Sequence, residues 1–247
     1  MVVMSLKPNE VLMRSTSGLI PHPFTLENFD RIFSVSDTPR WLVNSFIVST
    51  ATAVFTLLLA SLAGYAFARI PFRGKAILYV FVLAGLVVPE QAVFIPLYTM
   101  FAGWRMHNTY FALIAPRLAL PLGVFIMTQF IKQIPPEIEE AAQLDNANRL
   151  TVFFRIILPL SVPALTTLGI FTFVLTWNDF LWPLVSATSS EMYTITVGLA
   201  TLQGNFAQTE GMGFLMGSAA VASAPMVLLF LVFQRYIVEG VRLGGRF

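Results

Sequence analysis

The sequence predicts an all-α membrane protein with five transmembrane helices, and three observations support this fold class. Only 11% of the 247 residues are charged, less than half of the about 25% found in soluble domains. Hydrophobic residues make up 56% of the chain, and the mean hydropathy is +0.75. Five apolar stretches reach the roughly 20 residues that a helix needs to cross a bilayer. None alternates with a period of two, so helices are favoured over strands.

The same composition excludes several classes of function. So few charges disfavour a cytosolic enzyme or a disordered chain, and a net charge of +2 gives no reason to expect nucleic acid as a partner. The chain has no cysteine, which excludes disulfides, zinc thiolate sites and cysteine nucleophiles. Its two histidines, His22 and His107, lie far apart, so we expect no metal site.

The apolar stretches define the predicted spans. They are residues 41–68, 76–101, 109–130, 156–182 and 213–238. Prolines lie inside four of the five. Because lipid offers no partners for a freed backbone carbonyl, we expect these prolines to produce kinks that pack against neighbouring helices.

The basic residues of the links predict the orientation of the spans. Nine of the 15 lysines and arginines lie in links 69–75 and 131–155 or at and beyond the end of the fifth stretch, where Arg235, Arg242 and Arg246 occur. Link 183–212 has none, and link 102–108 has only Arg105. The two basic links and the C-terminus are therefore expected in the cytoplasm, and the other two links outside.

The first 40 residues fit this topology only with a further assumption. Five spans with a cytoplasmic C-terminus place residues 5–40 outside, although this segment carries four basic residues and follows no export signal. Either the segment crosses unaided, or a helix that preceded Met1 is missing, which is the interpretation we favour. We accordingly divide the chain into a truncated first span with an extracytoplasmic segment, 1–40, and one transmembrane domain, 41–247.

The 131–155 loop carries the most informative local pattern. Pro136 suits the first position of a helix, and the acids that follow suit the positive end of the helix dipole. Asn146 stands where a short helix would end, and asparagine tolerates the left-handed cap conformation. Asp145 and Arg149 have the i, i+4 spacing of a surface ion pair. These features predict a short amphipathic helix, a cap and a second helical piece, although an ordinary solvated loop would also account for them.

A family resemblance favours the first interpretation. The loop contains Glu140-Ala141-Ala142, then Asp145-Asn146-Ala147, then Ile157-Leu158-Pro159-Leu160, and it resembles the EAA loop of binding-protein-dependent ABC transporter permeases. The similarity extends over nearly the whole chain and is greatest to the maltose-permease-like second subunit of sugar importers. The matching segments are 5–10, 25–29, 44–45, 65–69, 72–75, 95–98, 108–109, 177–184, 197–199, 234–236 and 239–240.

The resemblance implies the type I ABC importer permease fold, usually with six spans, in a bacterial or archaeal cell membrane. Such a permease pairs with a second permease subunit and with two cytoplasmic ATPase subunits, and an extracytoplasmic binding protein delivers the carbohydrate. This chain has no phosphate-binding G-x-x-x-x-G-K-[ST] motif, so it cannot hold the phosphates of ATP itself. We expect no cofactor in this chain, and ATP and Mg on the partner ATPase. The residues expected to couple to the ATPase are Glu139, Glu140, Ala141, Ala142, Leu144, Asp145, Asn146 and Arg149.

Two features depart from the family pattern. Asn146 occupies the position of a usual glycine, and we expect the turn to survive because asparagine also adopts the left-handed cap conformation. The tail 241–247 does not match the usual ending, so no role is assigned to it.

Two further groups are candidates for the translocation path. Glu90 lies inside the second stretch, where a charge must face protein or water. It either lines the path or pairs with Arg117, or it lies near a kink at Pro89 and serves only the structure of the helix. Trp177, Asn178 and Asp179 lie near the outer end of the fourth stretch and suit either a sugar-binding lining or an interfacial aromatic belt.

The long outer link 183–212 is the candidate contact with the binding protein. We place that contact around Gln203, Gly204 and Asn205, although a plain surface loop is nearly as consistent with the sequence.

We therefore predict a non-catalytic permease subunit of an importer for a carbohydrate, that is, a sugar, an oligosaccharide or a glycerol-phosphate-like solute. The alternative is an ion-coupled secondary transporter, which should show internal repeats and several buried ionisable groups. We find no repeat, and Glu90 and Arg117 are the only charges in the middle of a stretch. An intramembrane enzyme is disfavoured because no nucleophile and base pair is evident.

Overall fold

A computed structural model of the chain describes residues 1–14, 22–34, 36–206 and 211–244, and every regular element in these ranges is helical. The α-helices are α1 (Val2–Ser5), α2 (Asn9–Arg14), α3 (Glu27–Ser34), α4 (Thr38–Arg69), α5 (Lys75–Ala84), α6 (Glu90–Gly103), α7 (Tyr110–Ile114), α8 (Pro121–Gln133), α9 (Pro136–Leu144), α10 (Arg149–Val152), α11 (Leu158–Leu160), α12 (Val162–Trp177), α13 (Leu181–Ser186), α14 (Ile195–Phe206) and α15 (Met212–Gly244). Short 3₁₀ turns at Ala115–Arg117 and Ser190–Met192 and a π-helical turn at Phe153–Ile157 join some of them.

In the described ranges, two helices are long and apolar enough to cross a membrane. They are α4 and the Met212–Gln234 part of α15. Two further spans are possible if bent pairs count as one: Tyr110–Arg117 with Pro121–Gln133, bent by 50°, and Arg149–Leu160 with Val162–Trp177, bent by 76°. Prolines lie at both bends, as expected for residues that lack a backbone donor and crowd the preceding turn.

The second predicted stretch differs from a single kinked span. It forms α5 and α6, which are separated by residues 85–89. Pro89 disfavours the helical conformation of the residue before it, so α6 starts only at Glu90. With 10 residues, α5 alone is about half the length that a bilayer requires. Pro96 is accommodated inside α6.

The chain forms two compact units. Unit 1 comprises Met1–Ser49, Phe101–Leu113 and Leu175–Val232, and unit 2 comprises Thr50–Met100, Ile114–Val174 and Phe233–Phe247. The predicted division at residue 40 concerned membrane topology and stays a prediction.

In unit 1, the N-terminal segment packs against the first turns of α15. The side chain of Asn28 donates to the carbonyls of Ser5 and Lys7 at 2.9 and 3.0 Å. The backbone N–H of Gly213 donates to Asn9 Oδ1 at 2.9 Å. A side chain at Gly213 would collide with Asn28 and Asn9, so the glycine permits this close approach.

In unit 2, a hydrophobic core joins α4, α8, the 131–155 loop and α12. Its buried members are Ala60, Tyr65, Met127, Ile131, Ile134, Val152, Phe153, Ile157, Ala164 and Leu168. A Cβ at Gly64 would lie 2.6 Å from Met127 Cβ, so this glycine lets α4 and α8 approach closely. The 131–155 loop is therefore anchored on a packed core at both of its ends.

Candidate functional site

The helix α9 forms within the 131–155 loop as predicted, beginning at Pro136 with Glu137 and Glu139 in its first turn. One side of α9 is exposed and includes Glu140, Ala141 and Leu144, the last of them 85% exposed. The opposite side carries Glu139, which is buried, and Ala142, which packs on the core of unit 2. The sequence therefore produces a helix with an acidic and apolar outer face and an inner face held by the protein.

The predicted cap at Asn146 is confirmed. Asn146 has φ = 60°, in the left-handed region. The N–H of Ala147 donates to the carbonyl of Ala142 at 3.0 Å, which is the long bond of a Schellman cap. Ala142 and Ala147 both pack against the core, as the hydrophobic contact of that motif requires. Asparagine thus serves in place of glycine at this position.

The predicted ion pair between Asp145 and Arg149 is wrong. Within the part of the chain that the structure describes, no ion pair joins these two side chains, and both residues are exposed. The i, i+4 spacing brings side chains together only on one continuous helix, whereas α9 ends at Leu144 and α10 begins at Arg149.

A second cap starts the return to the core. The side chain of Asn148 accepts a hydrogen bond from the backbone N–H of Thr151 at 2.8 Å, as an N-cap residue does. The chain then continues through α10 and the π-helical turn, where Val152, Phe153 and Ile157 are buried in the core of unit 2. Rigid packing thus follows within four residues of the exposed turn.

Glu139 was expected among the residues that couple to the ATPase, but the structure buries it within the chain. Its side chain is 8% exposed, and Oε1 lies 2.7 Å from Nε of Arg69. The hydroxyl of Tyr65 donates to Oε2 at 3.2 Å. Sequence reasoning missed Arg69 and Tyr65 as members of this site. Their i, i+4 spacing at the end of α4, opposite a loop rich in glutamate, was the available signal.

The arginine also contacts the end of the preceding helix. The Arg69 guanidinium donates to the carbonyl of Ile131 at 2.9 Å and to the carbonyl of Ile134. These carbonyls lie at the C-terminus of α8, where backbone acceptors lack helical partners. One guanidinium therefore joins α4, α8 and α9.

Of the path candidates, Glu90 pairs with Arg117. Oε1 of Glu90 lies 2.7 Å from a terminal nitrogen of Arg117, with side-chain exposures of 65% and 22%. Glu90 is the first residue of α6, where the helix dipole favours a carboxylate. The ion pair offered by the sequence is present, and a role for Glu90 in the translocation path stays a prediction.

The other path candidates lie in unit 1. Trp177 is buried, whereas Asn178 is exposed and Asp179 is half-buried. The carbonyl of Asp179 accepts a hydrogen bond from the Thr196 hydroxyl at 2.6 Å. Because the Trp177 ring is enclosed by the protein, Asn178 is the most exposed of these three candidates.

The outer link 183–212 is more ordered than predicted. It contains part of α13 and the whole of α14, so Gln203, Gly204 and Asn205 lie on a helix. Gln203 is exposed and borders a cavity of about 270 Å³ with Leu199, Met212 and Met216. The surroundings of Gly204 and the side chain of Asn205 fall outside the described part of the chain, as do residues 245–247 of the tail.

The fold resembles that of a solved transporter. A crystal structure of a bacterial ABC transporter involved in the import of the acidic polysaccharide alginate matches with a TM-score of 0.84 at 18% identity, covering 95% of this chain and 88% of that one. The fold is therefore of the class expected from the sequence, an all-α type I ABC importer permease.

The sequence comparisons agree with the fold. The arabinooligosaccharides transport system permease protein AraQ of Halalkalibacterium halodurans is 35% identical over 99% of this chain and 88% of its own length. The trehalose/maltose transport system permease protein MalG of Thermococcus litoralis is 34% identical over 93% of this chain and 84% of its own length. The trehalose transport system permease protein SugB of Mycobacterium tuberculosis is 32% identical, with coverages of 98% and 88%.

Residues 42–243 match the family described as "Binding-protein-dependent transport system inner membrane component". The chain belongs to this family, which confirms the resemblance drawn from its motifs. It is a multi-pass membrane protein and a transport component. Membership implies that it works with other components of an ABC transporter and with a solute-binding protein.

Proposed function

We propose that this chain is the permease subunit that forms half of the translocation path of an ATP-driven carbohydrate importer and couples to a separate ATPase through α9. The observation that carries the proposal is the exposed face of α9, which projects Glu140 and Leu144 from a helix whose other side is anchored on the core of unit 2. A rigid helix with an exposed apolar and acidic face suits a docking element that transmits movement. From here on α9 is called the coupling helix.

The class of solute follows from the relatives. Their names assign arabinooligosaccharides, trehalose or maltose, and trehalose to the three permeases described above. A carbohydrate is therefore the class of solute that we assign to this chain.

The proposed assembly contains a second permease subunit, two ATPase subunits and an extracytoplasmic solute-binding protein. ATP and Mg bind to the ATPase, and this chain takes no part in hydrolysis. The 131–155 loop and the C-terminus face the cytoplasm, and α14 faces the binding protein with Gln203, Gly204 and Asn205. Glu90, Trp177, Asn178 and Asp179 contribute to the translocation path.

A charge reversal on the exposed face tests the coupling assignment. In the reconstituted transporter, Glu140→Lys should insert normally yet separate ATP hydrolysis from transport, because the introduced ammonium would repel the basic groups that an acidic docking face requires. The matched control is Glu27→Lys, which reverses another exposed acid in the segment predicted outside. Normal solute uptake by Glu140→Lys would refute the coupling assignment.

A second measurement separates the importer from an ion-coupled carrier. Uptake should require the ATPase subunits, the binding protein and ATP. Uptake by this chain alone, driven by an ion gradient, would overturn the proposed function.

A further inference from the structure

We propose that Glu139 acts inside the chain as a positioning residue, which fastens the coupling helix to α4 through Arg69 and Tyr65 instead of touching the ATPase. The inference rests on the proposed function, because it assigns a mechanical role to the inner face of the coupling helix.

The burial of Glu139 is the first argument. Its relative exposure is 6%, in contrast to 85% for Leu144 on the opposite face. A carboxylate enclosed to this degree cannot reach the surface of a second protein without leaving its pocket. Burial of a charge is unfavourable unless the charge is paired and hydrogen-bonded, so its partners determine where this side chain can lie.

The two carboxylate oxygens have different partners. Oε1 faces Nε of Arg69 at 2.7 Å, and Oε2 accepts a hydrogen bond from the Tyr65 hydroxyl at 3.2 Å. Both partners project from the last turn and a half of α4, which is long enough to cross the membrane. The orientation of the carboxylate, and with it that of the coupling helix, is therefore set by the end of a membrane-spanning helix.

Arg69 extends the connection to a third helix through the carbonyls of Ile131 and Ile134. The ring of Tyr65 lies against Phe153, with ring centroids 5.3 Å apart. Phe153 belongs to the hydrophobic core of unit 2. The partners of Glu139 are thus packed against the chain that precedes the coupling helix and the chain that follows it. Because the packing is close, these elements can move together as a rigid body.

A buried ion pair is weak evidence of stabilisation, because well-packed apolar residues would serve stability equally well. The ion pair instead fixes the orientation and the position of the coupling helix relative to α4. Displacement of the outer face of the coupling helix would reach α4 through the contact between Glu139 and Arg69. The expected consequence of breaking the contact is a loss of transport per ATP hydrolysed, with docking of the ATPase preserved.

The test uses the complete transporter in proteoliposomes with Glu139→Gln, which keeps the side-chain shape and removes the charge. Solute transported per ATP should fall by about five- to tenfold, the range of a moderate coupling between sites, while co-purification of the ATPase stays as in the unmodified complex. Glu139→Asp, which retains the charge, should recover part of the solute transported per ATP hydrolysed. The matched control Glu140→Gln, on the exposed face of the same helix, should instead weaken ATPase co-purification.

A spectroscopic measurement reports the positioning directly. The chain has no cysteine, so spin labels can be placed on Glu137→Cys and Arg73→Cys, both at exposed positions of unit 2. The distance distribution between the labels should be narrow and should broaden when Glu139→Gln is added. If Glu139→Gln does not insert, Tyr65→Phe serves instead, and it should broaden the distribution to a smaller extent.

The outcomes are distinguishable. An unchanged distance distribution, or a loss of ATPase binding in Glu139→Gln equal to that in Glu140→Gln, would overturn the positioning role and leave the proposed function intact. Normal transport by Glu140→Lys, or uptake without the ATPase, would refute the proposed function itself.

Discussion

The indole of Trp41 lies directly over Gly198. A Cβ at residue 198 would come within 2.0 Å of Trp41 Cε3 and 2.2 Å of Cδ2. The indole is buried, and its Nε1–H donates to the carbonyl of Ser190 at 2.9 Å. Because this hydrogen bond holds the ring in place, only glycine fits beneath it, and the start of α14 depends on that fit.

Gly198→Ala is therefore expected to destabilise unit 1 by about 2 to 3 kcal/mol, the upper range for overpacking a filled site. The thermal midpoint of the detergent-solubilised protein should fall accordingly. Gly103→Ala is the matched control, since nothing lies within 4 Å of a Cβ at Gly103 and that residue is helical. An equal thermal midpoint for the two variants would contradict the packing described here.

The cap of the coupling helix gives a second prediction. Asn146→Ala places an ordinary side chain at φ = 60° and should destabilise the cap by about 1 kcal/mol, the usual penalty for the left-handed conformation. Asn146→Gly should keep the cap. Hydrogen exchange of the Ala147 amide measures the effect, because this amide makes the cap bond to Ala142. Exchange should accelerate in the alanine variant only, and equal protection in both would show that the cap does not depend on residue 146.

Asn44 organises the chain that leads into α14. Its amide donates to the carbonyls of Glu191 and Tyr193 at 2.8 and 2.9 Å, and its oxygen accepts from the Tyr110 hydroxyl at 2.7 Å. Asn44→Ala leaves these partners unsatisfied and should destabilise the protein by about 2 to 4 kcal/mol. Faster hydrogen exchange across residues 188–194 would accompany it.

Tyr110→Phe is the control for this prediction, since it removes only one of the three bonds. Tyr110→Phe should therefore lower the free energy of unfolding by only about 1 kcal/mol. A loss as large as that of Asn44→Ala would indicate that Tyr110 acts through packing and not through Asn44.

The ion pair between Glu90 and Arg117 gives the fourth prediction. A double-mutant cycle with Glu90→Gln and Arg117→Gln should yield a coupling energy of about 1 kcal/mol, since Arg117 is largely enclosed. The comparison pair is Arg40 with Glu191, at 3.3 Å and with exposures of 53% and 70%. Its coupling should be close to zero. A coupling energy of zero for Glu90 and Arg117 would show that their ion pair does not contribute to stability.

Local patterns predicted the helical structure and the coupling helix, but not the break between α5 and α6 or the helix α14 in the outer link. The helices follow from apolar runs, and the start and cap of the coupling helix follow from Pro136 and Asn146, because these features depend on neighbours in the sequence. The error over Asp145 and Arg149 has the same origin. The i, i+4 rule assumed one helix, while the cap that was itself predicted divides the segment into two.

The sequence by itself indicated that the chain lies in a membrane and that its structure is helical. Together with the family resemblance, it also predicted a capped amphipathic helix in the 131–155 loop. The tertiary structure alone decided which glutamate of that helix is buried. The local sequence does not distinguish Glu139 from Glu137 and Glu140. Glu139 differs because Arg69 and Tyr65 of α4 contact its side chain. Such partners are far apart in the chain, and their meeting depends on how helices pack, which no local pattern of residues encodes.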